Sequence, residues 1–271
     1  MKNGKFDARI RRAQELTAVY PLAWQGLRFY ECVAQTQKSL YLEFESHLGA
    51  HAMPRPPGAL RQELDLFLLL PRFSPFLSGV EQCAPSALSE SVRELRAKGG
   101  DRWREILMQF WQAGSVSRAK LPPAEALISW MFLQPYAEYL ADHTLQDPLN
   151  GTPSLCPVCR GEPLVGVLRP EGDGAKRSLI CALCATEWNF RRIVCPGCAE
   201  EDVHKLAVYT AEQFGHVRVE ACDTCRSYIK TVDLTKDGHA VPDVDELATI
   251  PLNLWAAEHG YSKSHANVLG I

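Results

Sequence analysis

Eight of the ten cysteines in this 271-residue chain fall between positions 156 and 225, in four Cys-x-x-Cys pairs. A Cys-x-x-Cys turn aims two sulfurs at one centre, and two such turns together supply a tetrahedral four-sulfur metal site. The pairs form a duplication. Cys156-Pro-Val-Cys159 is repeated 39 residues on as Cys195-Pro-Gly-Cys198, and Cys181-Ala-Leu-Cys184 is repeated 41 residues on as Cys222-Asp-Thr-Cys225. Within each half the two pairs stand 21 and 23 residues apart, room for one β-hairpin. The expected ligand sets are Cys156, Cys159, Cys181 and Cys184 at site 1, and Cys195, Cys198, Cys222 and Cys225 at site 2. The alternative is pairing across the halves, but only ten residues separate Cys184 from Cys195.

A closed four-sulfur site suits zinc and a single iron equally well. With four protein ligands no position stays open for substrate, so no catalytic residue is expected and the default role is structural. Strands this short do not bury enough apolar surface to fold alone. His204 and His216 are surplus as ligands and are expected to be exposed. Cys32 and Cys83 lie alone in apolar surroundings and read as small buried side chains. The first twenty residues contain no apolar leader core, which points to a cytoplasmic chain with metal-binding cysteines rather than a disulfide framework.

The elements that must position these sulfurs change character near residues 147–153, where Asp, Pro, Asn and Gly cluster. Before that point apolar residues recur at helical spacing. One helix is expected from Leu22 to Leu48, where Trp24, Leu27, Tyr30, Val33, Leu40, Phe44 and Leu48 recur at roughly helical spacing. A second is expected over Ala59–Leu70, stopped by Pro71, and a third over Ser86–Lys98, closed by Gly99-Gly100. A fourth, capped by Asp101, carries Trp103, Ile106, Leu107, Phe110 and Trp111 on its inner face. A fifth opens at Pro122-Pro123, and its unusually apolar stretch Ala126–Leu133 offers a face for a possible homodimer. After residue 153 the period shortens to that of strands: Leu164–Leu168, Ser178–Ile180, Leu206–Thr210, Val217–Glu220 and Tyr228–Asp233. Trp188 and Phe190 should pack between the ribbons. The most apolar segment, Leu64–Leu77, contains Asp65, Arg72 and two prolines, so no membrane span is expected.

The stretch CALCATEWNFRRIVCPGC, with Thr186-Glu187-Trp188 after the second pair, and the tail GYSKSHANVLG (Gly260–Gly270) resemble the FdhE family of formate dehydrogenase accessory proteins. The tail runs Asn267-Val268-Leu269 where that family's pattern has Asn-Pro-Phe. The resemblance implies a cytoplasmic, chaperone-like maturation factor, not an enzyme. It would bind the catalytic subunit of respiratory formate dehydrogenase before export, and rubredoxin-like sites would hold iron on the eight cysteines; zinc is the alternative. The fold expected is α+β: a helical bundle over residues 1–150, two tandem rubredoxin-like or zinc-ribbon modules over 151–192 and 193–236, and a tail with a short helix over 237–271. Two other functions compete. A nucleic-acid-binding ribbon is disfavoured because ten basic residues face ten acidic ones over residues 151–232, and the whole chain carries a net charge of -3. An electron-transfer protein stays open if the metal is iron.

Overall fold

In the computed structural model, residues 4–49, 53–54, 56, 58–116, 118–145, 152–267 and 269–270 are described. The change of texture expected at 147–153 falls mostly outside them. Five helices come first: α1 Gly4–Val19, α2 Trp24–Leu48, α3 Leu66–Cys83, α4 Ser86–Ala113 and α5 Pro123–Asp142. Helix α1 was not expected, because its few apolar residues are too sparse to show a helical period. It buries Phe6, Ala13 and Leu16 together with the polar Arg9. Helix α4 bends where Gly99-Gly100 predicted a break, with Gly99 at φ 75°.

The helix expected over Ala59–Leu70 is a correction. Residues Ala59–Gln62 form a short 3-10 turn, and the helix starts at Leu66 and continues through Pro71 and Pro75 to Cys83. Asp65 caps it, its side chain accepting from the Leu68 N–H at 3.0 Å. Each proline removes one donor and frees the carbonyl four residues earlier. Phe67, Pro71 and Pro75 share the exposed stripe, so water reaches the freed carbonyls. The opposite stripe, Leu69, Phe73, Phe76, Leu77 and Val80, is buried and holds the helix in place.

Helix α5 is apolar all round because it is buried all round. Ile128, Met131, Phe132 and Leu133 are fully buried within the single chain, so the segment read as a dimer face is monomer core. Its buried Glu138 is met by Arg9 at 2.8 Å and Lys5 at 2.9 Å from α1.

Past residue 152 the strands are β1 Pro163–Glu171, β2 Gly174–Cys181, β3 Glu187–Asn189, β4 Leu206–Thr210, β5 Val217–Cys222 and β6 Ser227–Asp233. The two hairpins do not stand apart. β1 pairs in parallel with β6, Gly166 opposite Thr231, and this joins both ribbons in one sheet of order β3-β2-β1-β6-β5-β4. Gly166 is required there, since a Cβ would collide with the Thr231 hydroxyl. The fold is thus α+β, with a mixed sheet beside a helical bundle.

The tail holds more structure than one short helix: α6 Pro242–Ala248, α7 Ile250–Glu258 and a two-residue strand β7, Ser262–Lys263. β7 pairs in parallel with the start of β6, Ser262 opposite Ser227. Helix α6 returns to α1. Arg9 meets Asp243 at 2.5 Å, and Arg12 meets Asp245 at 2.6 Å and Asp237 at 2.7 Å. Among the described residues, no helix is long and apolar enough to cross a membrane.

Cys32 and Cys83 are neither isolated nor buried. They lie half-buried on α2 and at the end of α3, with sulfurs 2.09 Å apart in a disulfide. They stand 51 positions apart, and nothing in their local sequence signals that α2 and α3 bring them together.

Candidate metal centres

Each of the four Cys-x-x-Cys turns closes in a similar way. The residue after the second cysteine adopts the left-handed conformation: Arg160 at φ 58°, Ala185 at 53°, Ala199 at 61° and Arg226 at 55°. None of these four is glycine, although the conformation costs an L-residue on the order of 1 kcal/mol. In three of the turns a main-chain bond to the first cysteine stabilises it: Arg160 N to Cys156 O at 2.8 Å, Ala185 N to Cys181 O at 3.2 Å, and Ala199 N to Cys195 O at 3.0 Å. In the fourth, Cys222 and Ser227 pair across the β5–β6 hairpin. These turns point main-chain N–H groups at sulfur. Gly161 donates to Cys159 Sγ at 3.3 Å, Leu183 to Cys181 Sγ at 3.4 Å and Gly197 to Cys195 Sγ at 3.3 Å.

The structure brings Cys156, Cys159, Cys181 and Cys184 into one group and Cys195, Cys198, Cys222 and Cys225 into another, each with its sulfurs within 4.8 Å of one another. In the first, Cys156 and Cys184 lie 3.5 Å apart and Cys159 and Cys181 3.4 Å apart. In the second, Cys195–Cys225 is 3.7 Å and Cys198–Cys222 3.6 Å. A tetrahedron with metal–sulfur bonds of about 2.3 Å has edges of about 3.8 Å. Both sets are close to that size, so each can hold one zinc or iron ion. Gly161 lies against the first set, where a Cβ would stand 3.0 and 3.1 Å from the sulfurs of Cys181 and Cys159.

The two sets differ in what surrounds them. All four sulfurs of the first are buried, whereas Cys198 and Cys225 of the second are exposed. The first is fastened to the helices. Arg61 donates to the carbonyls of Cys159 at 2.8 Å, Trp111 at 2.6 Å and Gly114 at 3.0 Å. From α5, Trp130 donates its indole N–H to Ala182 O at 3.0 Å. Burial drives the Cys181 and Cys184 thiols well above the ordinary range. Cys159 is held well below it by hydrogen bonds from Cys156, Cys181 and Cys184, with help from the charge on Arg61. At the second set, burial raises Cys195 to about 12. Burial acts the same way on Cys225, but hydrogen bonds from the Ser227 hydroxyl and main chain outweigh it and bring Cys225 to about 7.

Thr186-Glu187-Trp188 and the GYSKS tail now have contacts. Thr186 Oγ1 lies 3.1 Å from Cys184 Sγ, Glu187 accepts two bonds from Arg169, and Trp188 donates to Pro153 O at 2.8 Å. Trp188 and Phe190 are both buried. In the tail, Gly260 sits at φ 76°. Tyr261 donates its hydroxyl to Asp223 at 2.6 Å, and the Ser262 N–H donates to Arg226 O at 2.8 Å. Lys263 reaches the buried Glu246 at 2.5 Å, and the Ser264 hydroxyl donates to Tyr228 O at 2.9 Å. Asp223 and Arg226 belong to the last knuckle, so the tail braces the second set. Sequence reasoning missed these supports because each lies more than thirty residues from the cysteines it serves.

His204 is exposed, as expected, but His216 is not. It is largely buried, with Nε2 2.8 Å from Asp245. Together with Asp237 and Asp245 it forms a third compact group of metal-ligating types. Arg12 already occupies both carboxylates, so the cation of this group is a guanidinium.

Comparison with known proteins agrees with this architecture. Residues 155–192 match the family description "FdhE, central domain" and residues 193–269 match "FdhE, C-terminal domain". A "Protein FdhE homolog" of Aquifex aeolicus (strain VF5) is 29% identical over 275 residues, covering 96% of this chain and 94% of that protein. One of Pseudomonas aeruginosa is 33% identical over 215 residues, covering 74% of this chain and 66% of that protein. The crystal structure of the FdhE protein from Pseudomonas aeruginosa superposes with a TM-score of 0.71 at 24% identity, over 98% of this chain and 96% of that one, and shows the same fold. With the doubled Cys-x-x-Cys ribbons, the braced knuckles and these matches together, the chain belongs to the FdhE family.

Proposed function

We propose that this chain is a cytoplasmic accessory protein that binds the catalytic subunit of formate dehydrogenase during its maturation. It would carry one iron at each of two rubredoxin-like sites. The ligands are Cys156, Cys159, Cys181 and Cys184 at the first, and Cys195, Cys198, Cys222 and Cys225 at the second. One observation carries the reading: eight sulfurs gather as two closed four-thiol sets in a chain of the FdhE family. A closed set stabilises the knuckles that present the surrounding surface and leaves no coordination position for a substrate. The metal's chemistry when bound is tetrahedral thiolate coordination, with a one-electron couple if it is iron.

Deletion of the gene tests the reading. Formate dehydrogenase polypeptide should persist without activity, and normal formate oxidation in the deletion strain would defeat the proposal. Elemental analysis of the purified protein should find two irons per chain with thiolate-to-iron absorption bands. Two zincs without colour would keep both sites and remove iron.

A second reading is electron transfer, favoured by the exposure of Cys198 and Cys225, which places one side of the second set at the surface. It requires a reversible bleaching of the visible bands by dithionite.

A further inference from the structure

Strand β4 is the outer edge of the sheet, and its sequence, Leu206-Ala-Val-Tyr-Thr210, contains no lysine, proline or acidic residue to blunt that edge. The phase of the ladder shows which groups face outward. Asp223 N donates to Lys205 O at 2.9 Å, which makes Lys205 and Asp223 a hydrogen-bonded pair. Ala207–Ala221 and Tyr209–Val219 follow in the same phase. The main-chain N–H and C=O groups of Val208 and Thr210 therefore point away from β5, and no described strand lies there; the Leu206 N–H is taken by the Val203 carbonyl.

Beside this edge is a hollow of about 160 Å³. Its aliphatic wall includes Ile193, Val203 and Val208, which are 53%, 58% and 54% exposed. A dry hollow of roughly 150 Å³ accommodates a group the size of benzene. Three arginines line it against one carboxylate, in a chain whose net charge is -3. Arg177 and Arg218 both pair with that carboxylate, Glu220. Arg192 is exposed, and no ion pair engages it among the described residues.

We propose that the β4 edge and this hollow form the docking surface for the client. The occupant is an extended segment of the client's catalytic subunit that adds as a strand to β4. Aliphatic side chains of that segment fill the hollow, and one carboxylate meets Arg192. This rests on the accessory-protein reading above. Main-chain bonds give such a contact its affinity, while the side-chain hollow and the single cation select an aliphatic, acid-bearing sequence.

The test is capture of the coexpressed catalytic subunit by the full, metal-loaded chain, with amide hydrogen exchange read on β4. In the wild-type complex the amides of Val208 and Thr210 should exchange at least tenfold more slowly than in the free protein. Val208→Pro removes an outward donor and part of the aliphatic wall without touching a bond to β5, and Arg192→Glu reverses the free charge. Both should retain two metals per chain and lose capture at least tenfold. Capture by the wild type with unslowed exchange at these two amides overturns the docking surface and leaves the accessory reading standing. A wild-type chain that captures none of the catalytic subunit overturns both.

Discussion

Tyr261 donates its hydroxyl to Asp223 at 2.6 Å, and Asp223 is the residue that follows Cys222 in the last knuckle. The ring of Tyr261 also lies 4.1 Å from the guanidinium carbon of Arg226, the left-handed residue that closes that turn. A residue near the end of the chain thus fixes the shape of a metal-binding turn. Tyr261→Phe keeps the ring and loses the hydrogen bond, so it should cost about 1 kcal/mol in thermal unfolding. It should also speed metal loss from the second site while leaving the first unchanged.

Metal release into a chromogenic chelator should be biphasic. The second set exposes Cys198 and Cys225, while the first exposes no sulfur. Half of the metal should leave in a fast phase. Cys195→Ser should abolish that phase and retain the slow one, and Cys181→Ser should do the reverse.

Arg61 ties three carbonyls from two parts of the chain, Cys159 in the ribbon and Trp111 and Gly114 in the bundle. Arg61→Ala leaves those carbonyls without this donor and should lower stability by about 2 to 4 kcal/mol. Arg61→Lys should not restore it, since an ammonium lacks the planar fork of donors that reaches three acceptors. Denaturant titration, compared with the wild type, measures both.

The Cys32–Cys83 disulfide closes a loop of 51 residues, worth about 4 kcal/mol on a chain-entropy account. A non-thiol reductant that leaves the metals in place should lower the melting temperature. Cys32→Ser should show the lowered value with or without reductant.

Glu246 is fully buried between Lys230 at 2.9 Å and Lys263 at 2.5 Å. Burial alone would raise its carboxyl, but the two lysines prevail and hold it well below the ordinary 4.5. A depressed folded value gives stability that is present above the unfolded value and lost as pH falls through the folded one. Wild-type stability should therefore fall steadily below about pH 4.5. Glu246→Gln should be less stable by about 3 to 5 kcal/mol at pH 7, since it strands a buried lysine, and should show a shallower loss toward low pH.

The cysteine sets and the strands were legible in the sequence because metal spacing and alternation are local signals. Val217–Glu220 and Leu206–Thr210 have the residue types and turn boundaries of a hairpin. Helix α3 was misplaced because Pro71 reads as a stop, and only the exposure of the Phe67-Pro71-Pro75 stripe shows why the helix continues. The joining of the ribbons through Gly166 and Thr231, and the bracing of Cys222–Cys225 by Tyr261, depend on contacts across 65 and 38 residues, respectively. No local pattern encodes such distances. His216 shows the same limit, since its partner Asp245 lies in the tail.

Arg12 and Asp245 meet across 233 residues of chain. At a synthesis rate of about 5 to 20 residues per second, α1 is made on the order of 10 to 50 seconds before its partner exists. Throughout that interval Arg12 lacks Asp237 and Asp245, while Arg9 gains Glu138 of α5 before it gains Asp243. Helix α1 thus completes its ion pairs in two stages, to α5 first and to α6 last. A nascent chain cut short before α6 would hold α1 by its α5 pairs alone, so the Arg12 guanidinium marks whether α6 has been made.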